Sequence, residues 1–223
     1  MEGRAGSAAA SPGLGERLRA ATRYLHGEVE HAGVMARLLR GQLDRAGYVQ
    51  LLGNLHVIYE SLEAGARHNA HLPELAALDL TPLFRCPALE QDLLVLQGPR
   101  WRDQRVLVGA TQNFARHLQA LSRTQPLLLA AHAYVRYLGD LSGGQMLTRV
   151  VSRSLLLEHG QGVDFYDFGD AATVQQRKQA FRVALEGLAG SEMLARQLVE
   201  EACNSFKRHK DLFEQLGGVA QLA

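Results

Sequence analysis

The chain has 223 residues, a hydrophobic fraction of 47% and a formal net charge of +1. That is enough for one sizeable core, and too balanced in charge to give a global reason for binding nucleic acid or a membrane surface. Its two cysteines, Cys86 and Cys203, have no metal-type spacing and provide no disulfide framework, which is compatible with a reducing compartment. No run approaches the roughly 20 apolar residues of a membrane-spanning helix. With no Gly/Ser- or Pro-rich linker either, a cytoplasmic protein of one all-α domain is expected.

Residues 1–13 are rich in small side chains and lack the apolar core of a secretion signal, so they read as a flexible tail before a helical domain over 14–217, with a short tail over 218–223. The first helix is expected from Leu14 or Glu16 to Glu30, with Leu14, Leu18, Ala21, Leu25 and Val29 on one stripe. Arg19, Arg23, His26 and Glu30 occupy the neighbouring stripe. An imidazole that binds a metal needs its other ring nitrogen oriented by an acceptor, and Glu30 at i+4 is placed to be one. The same four residues also fit a solvated face carrying a surface histidine.

A short helix through Val34, Leu38 and Leu39 should follow and end near Gly41. Asp44 then caps a longer helix whose core face runs through Tyr48, Leu51, Leu52, Leu55, Ile58, Tyr59 and Leu62 and which closes near His68. His56 and Tyr59 read as packing or surface residues. Leu72 to Arg85, with Pro73 and Pro82, predicts an irregular connection with one or two short turns, and Pro87 to Leu96 a short helix stopped by Gly98 and Pro99. From Asp103 to Leu121, Val106, Ala110, Phe114, His117, Leu118 and Leu121 are spaced for a buried helix face.

Thr124 and Pro126 look like the cap and first turn of a central helix that continues to about His159. Within it stands Tyr134-Val135-Arg136-Tyr137-Leu138-Gly139-Asp140-Leu141-Ser142-Gly143-Gly144-Gln145. Three glycines in a helix interior cost about 3 kcal/mol relative to alanine unless something uses the bare backbone, and they are expected to interrupt the helix. Gly139 and Gly143, four apart, share one face and make a flat strip that a planar ligand or a second helix could approach. Asp140 beside them should be paired, solvated or chemically used. Gly160 to Gly169 is a loop without a phosphate cradle; Ala171 to Leu188 is a helix with Lys178 and Arg182 one turn apart; Ser191 caps a last helix carrying Leu194, Leu198, Ala202, Phe206, His209 and Phe213.

The string from Tyr134 to Gln145 resembles the signature of the heme oxygenase family, and Leu18 to Arg23 before His26, with Glu30 after it, resembles that family's proximal helix. The likeness runs in order from about Gly15 to Gly217. It implies a bundle of about eight helices that holds heme between a proximal helix and a glycine-kinked distal helix. The expected activity is oxidative opening of heme to biliverdin, ferrous iron and carbon monoxide, with dioxygen and electrons from a separate reductase, ferredoxin or flavodoxin-type donor. Carried over residue by residue, His26 becomes the iron ligand, with His132 or His117 as substitutes should it fail. Asp140, Gly139 and Gly143 form the oxygen side, Asp140 acting through ordered water; Arg19, Arg23, Tyr134, Lys178 and Arg182 meet the heme propionates, and Phe206 the heme edge. The resemblance also implies cleavage at the alpha-meso carbon. Arg19 and Arg23 stand where many relatives have lysines, which keeps the charge and changes its geometry. No nicotinamide or flavin motif is present, in keeping with a chain that borrows electrons. A heme-carrying protein without turnover and a helical interaction protein using the glycine strip are the rival readings.

Overall fold

The computed structural model describes residues 12–158 and 160–219; the expectations for 1–11, for His159 and for 220–223 lie outside the described residues. Those described form helices and turns, with no strand among them. The helices are α1 Leu14–Glu30, α2 Gly33–Leu39, α3 Arg45–His68, α4 Pro73–Ala76, α5 Cys86–Gln97, α6 Trp101–Gln104, α7 Gly109–Thr124, α8 Leu129–Ser154, α9 Ala171–Gly187 and α10 Glu192–Val219. Of these ten, α4 and α6 are single turns of four residues, which leaves the eight that periodicity predicts. None is long and apolar enough to cross a membrane.

Two long packings build the bundle: α1 lies along α10, and α3 lies against α7 and α5, while α8 runs between them against α10. The predicted core face of α3, from Tyr48 to Leu62, is buried throughout. Asp44 caps α3 by accepting from the Gly47 amide at 2.8 Å, and Ser191 caps α10 by accepting from Leu194 at 3.1 Å. The start of α1 lacks a local cap. Instead Glu186, at the end of α9, accepts from the amides of Leu14 and Gly15 at 2.8 and 2.9 Å, which satisfies two orphan donors and fastens α9 to α1. Charge pairs hold α1 on α10 at both ends: Arg17 to Glu192 at 2.8 Å and Lys210 to Glu28 at 3.0 Å.

The structure differs from the sequence expectation at several points. In α1, Thr22 is buried and Ala21 is exposed, because the Thr22 hydroxyl satisfies itself by donating to the Leu18 carbonyl at 2.8 Å. The helix expected from Asp103 breaks into α6 and α7, and Val106 is 56% exposed. Buried Asn54 explains the break, since its amide donates to the Val106 carbonyl and its oxygen accepts from the Val108 amide, so that stretch has partners without being helical. Thr124 closes α7 rather than capping the central helix: its hydroxyl donates to the Ala120 carbonyl, and a 3-10 turn at Pro126–Leu128 leads into α8.

Helix α8 runs unbroken through Gly139, Gly143 and Gly144, so the glycines do not interrupt it. They divide into two kinds. A β-carbon on Gly144 would stand 2.7 Å from the Tyr166 carbonyl, in the 3-10 turn Asp164–Tyr166, so this glycine is used by close packing. That turn is held in turn by fully buried Asp92 of α5, which accepts from the amides of Asp164 and Phe165, both at 2.8 Å. A β-carbon on Gly139 would meet nothing within 4 Å, and one on Gly143 only Leu147 at 3.9 Å. These two face open space.

Candidate functional site

That space is a cavity of about 930 Å³, near the upper end of the roughly 300–1,000 Å³ common for small-molecule sites. One wall comes from α1, through Arg19, Thr22, Arg23, His26 and Glu30; another comes from α8, through Tyr134, Leu138, Gly139, Asp140 and Gly143. Leu51 and Leu55 of α3, Arg182 of α9 and Phe206, His209 and Phe213 of α10 complete it. The structure thus gathers nearly every residue singled out in the sequence. Lys178 is the exception: it is half-buried on α9 outside this wall, while its neighbour Gln179 is part of it.

On the α1 wall the charged and imidazole groups are exposed and locally organised. The His26 side chain is 56% exposed, with Nδ1 3.4 Å from the Glu30 carboxylate, and its ring lies edge-on to Phe206 with centroids 5.8 Å apart. Nδ1 thus has a carboxylate nearby, at a separation without hydrogen-bond geometry, and Nε2 is the nitrogen farther from it that a metal would take. Arg19, Arg23 and Arg182 are exposed. Burial raises the Tyr134 hydroxyl above its ordinary value, against the pull of neighbouring Thr22, Arg19 and Arg182, so one phenol and two guanidiniums share a corner of the cavity.

On the α8 wall the carboxylate is buried, beside an open glycine strip. Asp140 is 7% exposed; its Oδ1 accepts from Arg136 Nη2 at 2.8 Å and its Oδ2 from the Tyr59 hydroxyl. Arg136 Nε also donates to the Tyr59 oxygen at 2.8 Å, which closes a triangle of three side chains. Burial pushes the Asp140 carboxyl up, with Arg136 and then Tyr59 pulling it back. Burial also works against the Arg136 charge, but Asp140 and Tyr59 more than compensate and hold it above its ordinary value. A carboxylate offers about four acceptor positions; two are taken here and two remain, on a residue that lines the cavity.

Sequence reasoning missed the partners of Asp140. Arg136 was available at i−4, the spacing at which a guanidinium reaches a carboxylate on a helix. Tyr59 reads from sequence as one more core tyrosine; its role depends on α3 meeting α8 eighty-one residues away. His209 was counted for its core face, and it is buried on the cavity wall with Nδ1 donating to the Ser205 carbonyl at 2.7 Å and Nε2 without a protein partner. His117 and His132 are not in the wall. Both bond Glu201 of α10, so they are not placed to replace His26.

A planar macrocycle with one metal and two carboxylates fits this cavity on three counts. The glycine strip gives a surface without side chains facing the open space, an imidazole with a carboxylate beside its second nitrogen stands on the other helix, and cations collect at the rim.

Known proteins agree with this geometry. A family model described as heme oxygenase matches residues 13–215. A heme oxygenase 1 of Nostoc sp. is 33% identical over 208 residues, covering 93% of this chain and 87% of the relative. The heme oxygenase 1 of Homo sapiens is 37% identical over 205 residues, covering 91% and 71%. Among solved structures, heme oxygenase-1 from Synechocystis sp. in complex with heme superposes with a TM-score of 0.89 at 32% identity, covering 95% of each chain.

Proposed function

The chain belongs to the heme oxygenase family, and from that premise we propose that it binds heme in the cavity between α1 and α8 and opens the macrocycle to biliverdin, releasing ferrous iron and carbon monoxide. The observation that carries the reading is the pairing of a flat, side-chain-free strip at Gly139 and Gly143 with His26 across one cavity of about 930 Å³. Bound heme supplies the iron at which dioxygen is reduced and the carbon edge that is oxygenated.

The protein's part is orientation and proton control. His26 offers Nε2 to the iron while Glu30 stands beside Nδ1. Arg19, Arg23, Arg182 and Tyr134 take the propionates and so set the in-plane rotation of the macrocycle, for which we propose presentation of the alpha-meso carbon. Lys178 is a more distant member of this set, since the wall carries Arg182 and not it. Phe206 packs at the edge beside His26. Asp140, fixed by Arg136 and Tyr59, uses its two remaining acceptor positions to hold water as an ordered proton donor on the glycine side. Gly139 and Gly143 let the macrocycle approach the main chain. Electrons come from a separate donor protein, and the cytoplasm is the proposed compartment, in line with free thiols at Cys86 and Cys203.

The test is to mix the purified protein with hemin, dioxygen and a reductant and record absorbance. A Soret band that decays into a biliverdin spectrum is expected. A stable Soret band through repeated reduction would overturn turnover while leaving binding intact, and no Soret shift would overturn both.

A further inference from the structure

Outside the heme cavity, three helices bring metal-ligating groups to one point. His117 of α7 and His132 of α8 both direct Nε2 at the same carboxylate oxygen of Glu201 on α10, at 2.6 and 2.8 Å, and the three ligand atoms lie within 4.8 Å of one another. We propose that His117, His132 and Glu201 form a binding site for a divalent first-row transition ion of borderline softness, zinc being the type case.

Two imidazoles and one carboxylate are a recognised donor set for such ions, with a further position left for solvent. Metal–ligand bonds of about 2.0–2.1 Å place neighbouring ligands roughly 3.3 Å apart in a tetrahedron. Each nitrogen therefore needs to part from the oxygen by well under 1 Å, and the two nitrogens, within 4.8 Å of each other, need to close by at most about 1.5 Å. The groups behind them are also in place: His132 Nδ1 lies 3.0 Å from the Ser205 hydroxyl, and Asn204 donates to the other Glu201 oxygen at 3.3 Å. With a metal on Nε2, His132 keeps its proton on Nδ1 and donates that N–H to the Ser205 hydroxyl oxygen, a shift of tautomer that leaves the ring neutral. Phe114 closes the inner side, its ring 5.4 Å from that of His132. The outer side is open, because the His117 side chain is 22% exposed, so an ion can enter from solvent without disturbing the core.

A metal at this point takes a carboxylate and two neutral imidazoles, the three groups that the fold has brought together. An ordinary hydrogen-bonded core histidine needs one partner; here two rings converge on one oxygen.

The experiment uses untagged, heme-loaded protein stripped with a chelator, titrated with zinc by calorimetry and with cobalt by absorption. One saturable zinc site and the intense visible bands of low-coordinate cobalt are expected, together with a zinc-dependent rise in Tm. His117→Ala, at the most accessible of the three ligands, and Glu201→Gln should each weaken zinc by at least about a hundredfold, with helical circular dichroism of His117→Ala unchanged. Absence of saturable binding, or affinity in His117→Ala equal to the parent's, overturns the site. Neither readout depends on heme turnover, so failure here is distinguishable from failure of the heme reading.

Discussion

The two walls of the cavity are organised on different scales. The α1 wall is written along one helix: Arg19, Arg23, His26 and Glu30 follow one another at helical spacing, and His26 and Glu30 remain half-exposed. The α8 wall is assembled across the fold: Asp140 takes Arg136 from its own helix and Tyr59 from α3, and Gly144 receives the Tyr166 carbonyl from a turn that Asp92 of α5 holds. A side chain on the first wall can be removed with little effect on the rest of the molecule. On the second wall the same operation leaves buried groups without partners.

The largest effect should come from the exposed wall. His26→Ala should reduce biliverdin formation by at least about a hundredfold while leaving Tm within roughly 0.5 kcal/mol equivalents of the parent. Added imidazole should restore part of the activity and of the heme spectrum. Unchanged ferric and ferrous spectra in the variant would remove His26 as the ligand.

Asp140 should show the opposite pattern. Asp140→Ala leaves the Arg136 charge buried and unpaired, and breaking such a pair costs about 3–5 kcal/mol, so activity and stability fall together. Asp140→Asn keeps the shape and is the sharper test of chemistry: heme affinity is expected to persist while product yield drops about a hundredfold, equivalent to roughly 3 kcal/mol. Normal yield from heme-loaded Asp140→Asn would end the role assigned to this carboxylate.

The glycines allow a comparison within one helix. Gly144→Ala drives a β-carbon to 2.7 Å from the Tyr166 carbonyl and should destabilise by about 1–3 kcal/mol. Gly139→Ala meets nothing within 4 Å and should stabilise the heme-free protein by about 1 kcal/mol while weakening heme binding. Denaturant titration of the two variants reads the signs, and equal destabilisation would refute the division.

The smallest effect is a pH slope. His132 and His209 are buried, which lowers both below the ordinary value, so the unfolded chain takes up protons near pH 6.5 before the folded one does. Their contribution is thus complete above about pH 6.5 and is lost as pH falls toward the folded values. Tm should drop on acidification below 6.5, and His209→Asn should flatten the slope; a slope unchanged in that variant would contradict the assignment.

The same difference of scale decides what could be read from the sequence. The bundle was legible because its helices announce themselves by spacing and caps, as at Asp44 and Ser191. The α1 residues were legible for the same reason. Where a side chain from elsewhere settled the backbone, spacing misled: Asn54 keeps Val106 and Val108 out of a helix that their apolar pattern favours. Tyr59 was invisible as a partner because a buried tyrosine on a core stripe carries no mark of what its hydroxyl meets. Lys178 shares a helix face with Arg182 yet lies outside the wall, because i, i+4 spacing says which cations are neighbours and not which of them meets the cavity.

Mechanically, α1 behaves as a strut pinned at both ends. Glu186 and Glu192 grip its first turn and Lys210 its last, and the pins at Arg17 and Glu28 are about 17 Å apart along the axis. Two pins on a rod suppress sliding and tilt and leave roll about its own axis as the softest rigid-body motion. Roll carries His26 toward or away from the glycine strip and is resisted by the buried keel of Leu14, Leu18 and Thr22. A roll of this kind would change the gap between His26 and the glycine strip while keeping Arg19 and Arg23 at a constant height along the opening.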